Sequence, residues 1–259
     1  MKKILSTALL IGFLLTAATA MGADIQSVRI GTEGAYPPFN MIDKNGELEG
    51  FDVDIAKALC TAAAVECEFV VQDWDGMIPG LMAQKYDAII ASMAITEERK
   101  QKVAFTDKYY MTPAKFVARE GADFEISPAG LEGKVVGVQR ATTHENFVRD
   151  NFGDTVTVKS YATQDEANMD LVSGRVDLVI ADSVVLQGGF LDTEAGEGYA
   201  FIGPGFTDAE WYGEGIGIAV RKEDKELVAL LNDAIEKIRA NGVYKRINDK
   251  YFDFDVYGD

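Results

Sequence analysis

The stretch Asp87-Ala-Ile-Ile-Ala-Ser-Met-Ala-Ile-Thr-Glu-Glu-Arg99 constrains the fold more than any other part of the chain. The apolar run at 88–90 is short and carries two β-branched residues behind Asp87, so it reads as a buried strand rather than a helix. Small residues, Ala91, Ser92 and Ala94, leave the backbone approachable just past that strand, and Thr96 is placed to N-cap a helical turn that carries Arg99. A strand, an approachable turn and a helix start, in that order, make the repeating unit of an open α/β sheet, which binds ligands beyond the carboxyl ends of its strands. Free amides at a helix start beside one guanidinium suit a carboxylate. Taken alone, the stretch allows a plainer reading, with Arg99 a solvated helix arginine beside Lys100 and Lys102.

The alternation occurs in two sets. In the first, a strand begins at 28–31, a Tyr36-Pro-Pro-Phe39 loop leaves it, and residues 51–64 have helical spacing with Asp52 and Asp54 in the first turn. A strand at 68–72 and a helix at 77–84 follow, leading into the run at 88–90. In the second set, strands at 134–138, 156–161 and 176–181 are separated by helices opening at Ala141-Thr142-Thr143 and over 164–173, with Asp182 and a helix at 183–191 closing the set. Met111-Thr112-Pro113 reads as a crossover between the sets, followed by a strand at 115–118; a second crossover lies around 205–214, before a strand at 216–220 and helices at 224–240 and 243–251. The expected fold is α/β with two lobes, each a central, mostly parallel sheet flanked by helices, joined by two hinge crossovers with a ligand in the cleft between them. The expected lobes are 24–112 together with 210–259, and 113–209.

Lys2 and Lys3, an apolar core at 8–18 and the small-x-small run Ala18-Thr19-Ala20 form a secretory signal over 1–20, with cleavage as late as 23 as an alternative. The apolar run falls short of the roughly 20 residues a spanning helix needs, and no cysteine lies near the cleavage site to take a lipid. Losing the two lysines Lys2 and Lys3 takes the formal charge from −17 to −19, which disfavours nucleic acid and anionic membranes as partners. In an exported chain the close pair Cys60 and Cys67 reads first as a disulfide, with two reduced buried thiols as the alternative. His144 is the sole histidine and there is no second cysteine pair, so no zinc site and no other metal or cofactor is expected.

The stretch at 87–99 with its continuation Val-Ala-Phe-Thr-Asp-Lys-Tyr-Tyr110, Gly50-Phe-Asp-Val-Asp-Ile-Ala56, Ser173-Gly-Arg-Val-Asp177 and the tail Tyr251-Phe-Asp-Phe-Asp-Val-Tyr-Gly-Asp259 resemble periplasmic polar amino-acid-binding proteins of ABC importers, solute-binding protein family 3. Within that family the resemblance is nearest to the binders of lysine, arginine, ornithine and histidine, and it runs from about 28 to 259. It implies the two-lobed type II periplasmic-binding-protein fold, a monomer in the periplasm of a Gram-negative bacterium, and delivery of an amino acid to a membrane permease. It also implies that Arg99, with backbone N–H of Ala94 and Thr143, takes the ligand carboxylate, and that Asp182 takes the ammonium. The side-chain pocket it implies contains Glu33, Tyr36, Asp52, Trp74, Ala91 and Ser92 from one lobe, with Gln139 and Thr142 from the other.

Chemistry read from the residues agrees in part. Arg99 offers a bidentate fork, and Tyr36 and Trp74 are suited to sandwich a guanidinium. Asp52 and Asp182 each also read as plain N-caps. Arg140 and His144 flank the second-lobe loop, either facing solvent or repelling a cation. The expected function is capture of a cationic L-amino acid, arginine first and lysine, ornithine or histidine next. Alternatives are an opine or another polar amino acid, and a cyclohexadienyl or arogenate dehydratase, since such enzymes share the fold; an enzyme would need a general acid over a six-membered ring.

Overall fold

The computed structural model describes residues 25–258; the expected signal peptide lies outside the described residues. In chain order the elements are β1 (Ser27–Thr32), β2 (Ala35–Tyr36), β3 (Asn40–Ile42), β4 (Leu48–Glu49), α1 (Phe51–Ala63), β5 (Glu66–Val71), α2 (Met77–Met82), β6 (Ala88–Ile89) and α3 (Glu97–Lys100). They continue as β7 (Ala104–Tyr110), β8 (Ala114–Arg119), β9 (Val135–Gln139), α4 (Thr143–Phe152), β10 (Thr157–Tyr161), α5 (Gln164–Val172), β11 (Leu178–Asp182) and α6 (Ser183–Leu186). The chain ends with β12 (Tyr199–Phe206), α7 (Ala209–Tyr212), β13 (Ile216–Val220), α8 (Lys225–Ala240) and α9 (Val243–Tyr251).

Two five-stranded sheets organise these elements, in the orders β5-β1-β6-β13-β7 and β10-β9-β11-β8-β12. In the first, β5, β1 and β6 are parallel while β13 runs against both β6 and β7. In the second, β10, β9 and β11 are parallel while β8 runs against both β11 and β12. Each sheet is therefore mostly parallel with one reversed strand, and that strand is the one the chain enters straight from the other lobe. The reversal follows from geometry: the parallel strands point their carboxyl ends at the cleft, so a chain arriving across the cleft runs the opposite way. The fold is thus the two-lobed α/β architecture expected from the sequence.

α1 shows how the sequence sets an element and its packing. Asp52 and Asp54 stand in its first turn, its face of Phe51, Val53, Ile55, Ala56, Leu59 and Cys60 is buried, and Ala64 ends it in the left-handed conformation at φ 56°. Cys60 and Cys67 are joined by a disulfide that staples α1 to β5. Phe39 stacks on Tyr110 at 4.5 Å, and Phe51 meets both Tyr110 and Phe252 edge-on or tilted. This aromatic core joins the first strands to the tail after α9, so the first sheet's lobe is closed by both ends of the chain.

Two strands of the five-stranded sheets were not anticipated. β7 interrupts its apolar pattern with Thr106, Asp107 and Lys108 and is buried at Thr106, Tyr109 and Tyr110. β12 contains Gly203-Pro204-Gly205, a breaker sequence that is tolerated because β12 pairs only with β8 at the sheet edge and shifts register between Ile202 and Phe206.

Candidate functional site

The carboxyl ends of the parallel strands converge on one cavity between the lobes. Glu33 follows β1, Trp74 opens the short helical turn after β5, and Ala91, Ser92 and Ala94 follow β6. From the opposite side come Gln139 at the end of β9, Thr142 and Thr143 at the start of α4, and Asp182 at the end of β11. Tyr36 and Arg99 complete the set, so every residue expected from the sequence to bind the ligand lines this cavity except Asp52.

Asp52 is fully buried behind the cavity wall. Its carboxylate accepts hydrogen bonds from the Tyr109 hydroxyl at 2.7 Å, Asn40 Nδ2 at 3.0 Å and the Ser92 hydroxyl at 3.1 Å. Burial pushes its pKa up to about 6 against those three donors. Its position is that of a buttress: it fixes Ser92, whose backbone sits at φ 55°, and it spends the Ser92 hydroxyl that would otherwise face a ligand. The reason is the helical period, which turns the second residue of α1 inward onto β7 and away from the cleft.

Arg99 is half-buried at the cavity wall. Thr96 caps its helix by accepting from the Arg99 N–H at 3.3 Å, and Arg99 Nη1 donates to the Ala94 carbonyl at 3.0 Å. The guanidinium lies over the Trp74 ring, 5.2 Å from its centroid, so it covers one of the two faces expected to stack on a ligand. Desolvation pulls its pKa down to about 10, against the neighbouring charge of Glu98.

The carboxylates are in the complementary condition. Asp182 caps α6 by accepting from the Val184 and Val185 N–H groups at 2.8 and 3.4 Å, and its other oxygen accepts from the Thr112 hydroxyl. Burial still pushes it up to about 6. The N-cap reading and the cavity-lining position are therefore both realised. Glu33 is pushed up to about 7, first by burial and further by Asp73 and Asp75, while a 2.6 Å hydrogen bond from Gln139 Nε2 pulls the other way. His144, buried near Arg99, is pushed down to about 3 and is neutral, so it presents no charge to repel a cation. Arg140 points out of the cavity and pairs with Asp75 at 2.6 Å.

Several of these contacts join the lobes in a closed arrangement. Besides Gln139 to Glu33 and Arg140 to Asp75, the Trp74 indole N–H donates to the Ala141 carbonyl at 3.0 Å and Asn146 Nδ2 donates to Glu98 at 3.3 Å. The cavity is also lined by Met111, Thr112, Tyr212, Gly215 and Ile216, which sequence reasoning did not name as site residues. All stand in or beside the two crossovers, and the crossovers themselves were the available signal. Gly213, at φ 70° in the second crossover, leaves no room for a Cβ, which would sit 2.0 Å from the Ile95 carbonyl. The arrangement can bind a small zwitterion: a free guanidinium for a carboxylate, and two buried carboxylates that gain by meeting positive charge.

Comparison with known proteins places this geometry among solute receptors. The profile of the bacterial extracellular solute-binding proteins, family 3, matches residues 28–254. The chain is 56% identical over 232 residues to an L-arginine-binding protein of Pseudomonas aeruginosa, covering 89% of this chain and 90% of that protein. It is 40% identical to the lysine/arginine/ornithine-binding periplasmic protein of Escherichia coli, covering all of this chain and 99% of that one. Among solved structures, an ancestral arginine-binding protein bound to arginine superposes with a TM-score of 0.82 at 39% identity, covering 89% of this chain and 100% of that one.

Proposed function

The chain belongs to the bacterial extracellular solute-binding proteins of family 3, and from that premise we propose that it captures a cationic L-amino acid, arginine in preference to lysine, ornithine or histidine. The observation that carries this reading is the charge pattern around one interlobe cavity: a half-buried Arg99 with no ion-pair partner among the described residues, sharing the cavity with the buried carboxylates of Asp182 and Glu33. Arg99 takes the ligand carboxylate, helped by the backbone of Ala94 and Thr143, and Asp182 takes the α-ammonium. Glu33 takes the side-chain cation, with Tyr36 and Trp74 beside it in the cavity lining. Ala91, Ser92 and Thr142 shape the wall. A neutral side chain would leave the desolvated Glu33 with only the Gln139 hydrogen bond as compensation, whereas a cation returns the energy of burying it. Guanidinium is favoured over ammonium because it is planar, less strongly hydrated and able to stack while donating sideways. The names of the arginine- and lysine/arginine/ornithine-binding relatives support the same class.

The lobes we assign are 24–112 with 210–259, and 113–209, hinged at the two crossovers. In this reading the protein works as a monomer in the periplasm and hands its ligand to an ABC permease by docking in the closed state. It is a binder and not an enzyme, as its named relatives are. Burial raises both cavity carboxyls, Glu33 to about 7 and Asp182 to about 6, so either is the group a dehydratase would use as its general acid.

Glu33→Gln is the test. Arginine affinity falls by about 1.5–3 kcal/mol, the range for a hydrogen bond to a charged group, while glutamine binding is unchanged or improves. An unchanged arginine affinity contradicts the assignment, and turnover of prephenate or arogenate by the parent protein contradicts the binder reading.

A further inference from the structure

Gln139 is 2% exposed, and its carboxamide has a fixed orientation. Nε2 donates to Glu33 Oε1 at 2.6 Å and to the Ala162 carbonyl at 3.1 Å. Both neighbours accept, so the flipped amide would set oxygen against oxygen, and both N–H groups of the amide are consumed. Its backbone is fixed as well: the Gln139 carbonyl accepts from the Thr142 hydroxyl at 2.7 Å, and Thr142 caps α4. Ala162 follows β10 in the second sheet's lobe, while Glu33 follows β1 in the first. The side chain is thus tethered in one lobe and reaches a carboxylate of the other.

We propose that Gln139 is a positioning residue that ties lobe closure to selectivity for a positively charged side chain: anchored on Ala162, it meets Glu33 only when the lobes close, and there it holds Glu33 as the carboxylate that a cation requires. This deepens the reading of the cavity as a receptor for a cationic amino acid and rests on it. Closure strips water from Glu33, and a buried carboxyl left without donors takes up a proton and stops discriminating between charged and neutral ligands. A charge-assisted hydrogen bond of 2.6 Å opposes that protonation. The ligand's cation completes the compensation, so closure over arginine is favoured and closure over a neutral analogue is not. Gln139 therefore acts through Glu33 and not by donating to the ligand.

The charges that face Glu33 set the sign of the pH dependence. Asp73 and Asp75 push it up together with burial, which brings it to about 7, and Gln139 pulls it down. Arg140 is held by Asp75, His144 is neutral, Arg99 and Asp182 share the cavity, and the buried Tyr36 hydroxyl keeps its proton. Binding a cation favours ionised Glu33. Affinity is therefore greatest above the pKa of the empty closed site and falls as pH drops through it, because the ligand must expel a proton. Removing the Gln139 bond raises that pKa and moves the onset of the loss to higher pH.

Calorimetric titration with arginine and glutamine between pH 5.5 and 8.5 tests this on the parent protein, Gln139→Leu, Glu33→Gln and the double variant. Gln139→Leu should weaken arginine about tenfold at pH 8, at the lower end for a charged hydrogen bond. It should also shift the onset of the acid-side loss upward in pH and leave glutamine affinity within about twofold, since no charge is at stake there. Added to Glu33→Gln, the same substitution should change arginine affinity by less than about twofold, because its partner is gone. An unmoved pH onset, an equal loss for arginine and glutamine, or a full loss in the Glu33→Gln background overturns the proposal. Should Gln139→Leu fail to fold, Gln139→Met carries the same comparison. A parent protein that binds no cationic amino acid refutes the receptor reading itself, whereas cation binding with an unmoved pH onset refutes only the role of Gln139.

Discussion

Arg99 is half-buried and Asp52 fully buried, and the two ionisable side chains stand on opposite sides of the cavity wall. Arg99 lines the cavity with one hydrogen bond, to the Ala94 carbonyl, and a ring against it. Truncating it to alanine leaves the ligand carboxylate without its ionic partner, so Arg99→Ala should weaken arginine binding by about 3 kcal/mol or more, measured by calorimetry, with the fold intact. Binding within about threefold of the parent would show that the carboxylate lies elsewhere. Asp52, by contrast, has all its capacity taken by Tyr109, Asn40 and Ser92. Sequence alone could place Arg99 beside a strand end, because small residues and a capping threonine mark the approachable turn at 91–96, and Asp52 in the first turn of a helix. It could not tell which side of the wall a carboxylate faces, since an aspartate in a helix's first turn serves a cap, a buttress or a ligand equally well. The same limit applied to Trp74, where the aromatic position was legible but its coverage by Arg99 was a matter of tertiary packing.

Among the elements, those with a strict pattern were readable and those shaped by an edge or a crossover were not. α8 carries the buried face Leu227, Leu231, Ala234, Ile235 and Ile238 at helical spacing, and its bounds differ by one residue from the sequence reading. β6 and β11 are fully buried and read from the short apolar runs at 88–90 and 178–181. β7 and β12 were missed because polar residues and a Gly-Pro-Gly run mask strands that exist by pairing with β13 and β8. The disulfide was legible from export and spacing together, and its effect belongs at this scale. The bridge spans a sequence separation of only 7 between α1 and β5, so loop closure contributes at the low end, about 2–3 kcal/mol. Reduction should lower the melting temperature and leave arginine binding in place. A reduced protein that melts with the oxidised one, or one that loses binding while folded, would contradict this account of the bridge.

Over the whole molecule, function resides in the distribution of charge between two lobes. One guanidinium and two carboxylates are withdrawn from water around a cavity that neither lobe encloses alone, and each is displaced from its ordinary pKa in the direction that burial dictates. Interlobe hydrogen bonds from Trp74, Gln139 and Asn146 hold the closed state, while the exposed Arg140–Asp75 pair adds no more than about 1 kcal/mol. A ligand that supplies a carboxylate to Arg99 and positive charge to Asp182 and Glu33 relieves every one of these displacements at once. The most direct measurement is a calorimetric titration of the protein, freed of prebound ligand, with arginine, lysine, ornithine, histidine, glutamine and glutamate at pH 8. The account predicts arginine tightest, the other cations weaker, and glutamine and glutamate weakest; tightest binding of glutamine or glutamate would contradict it.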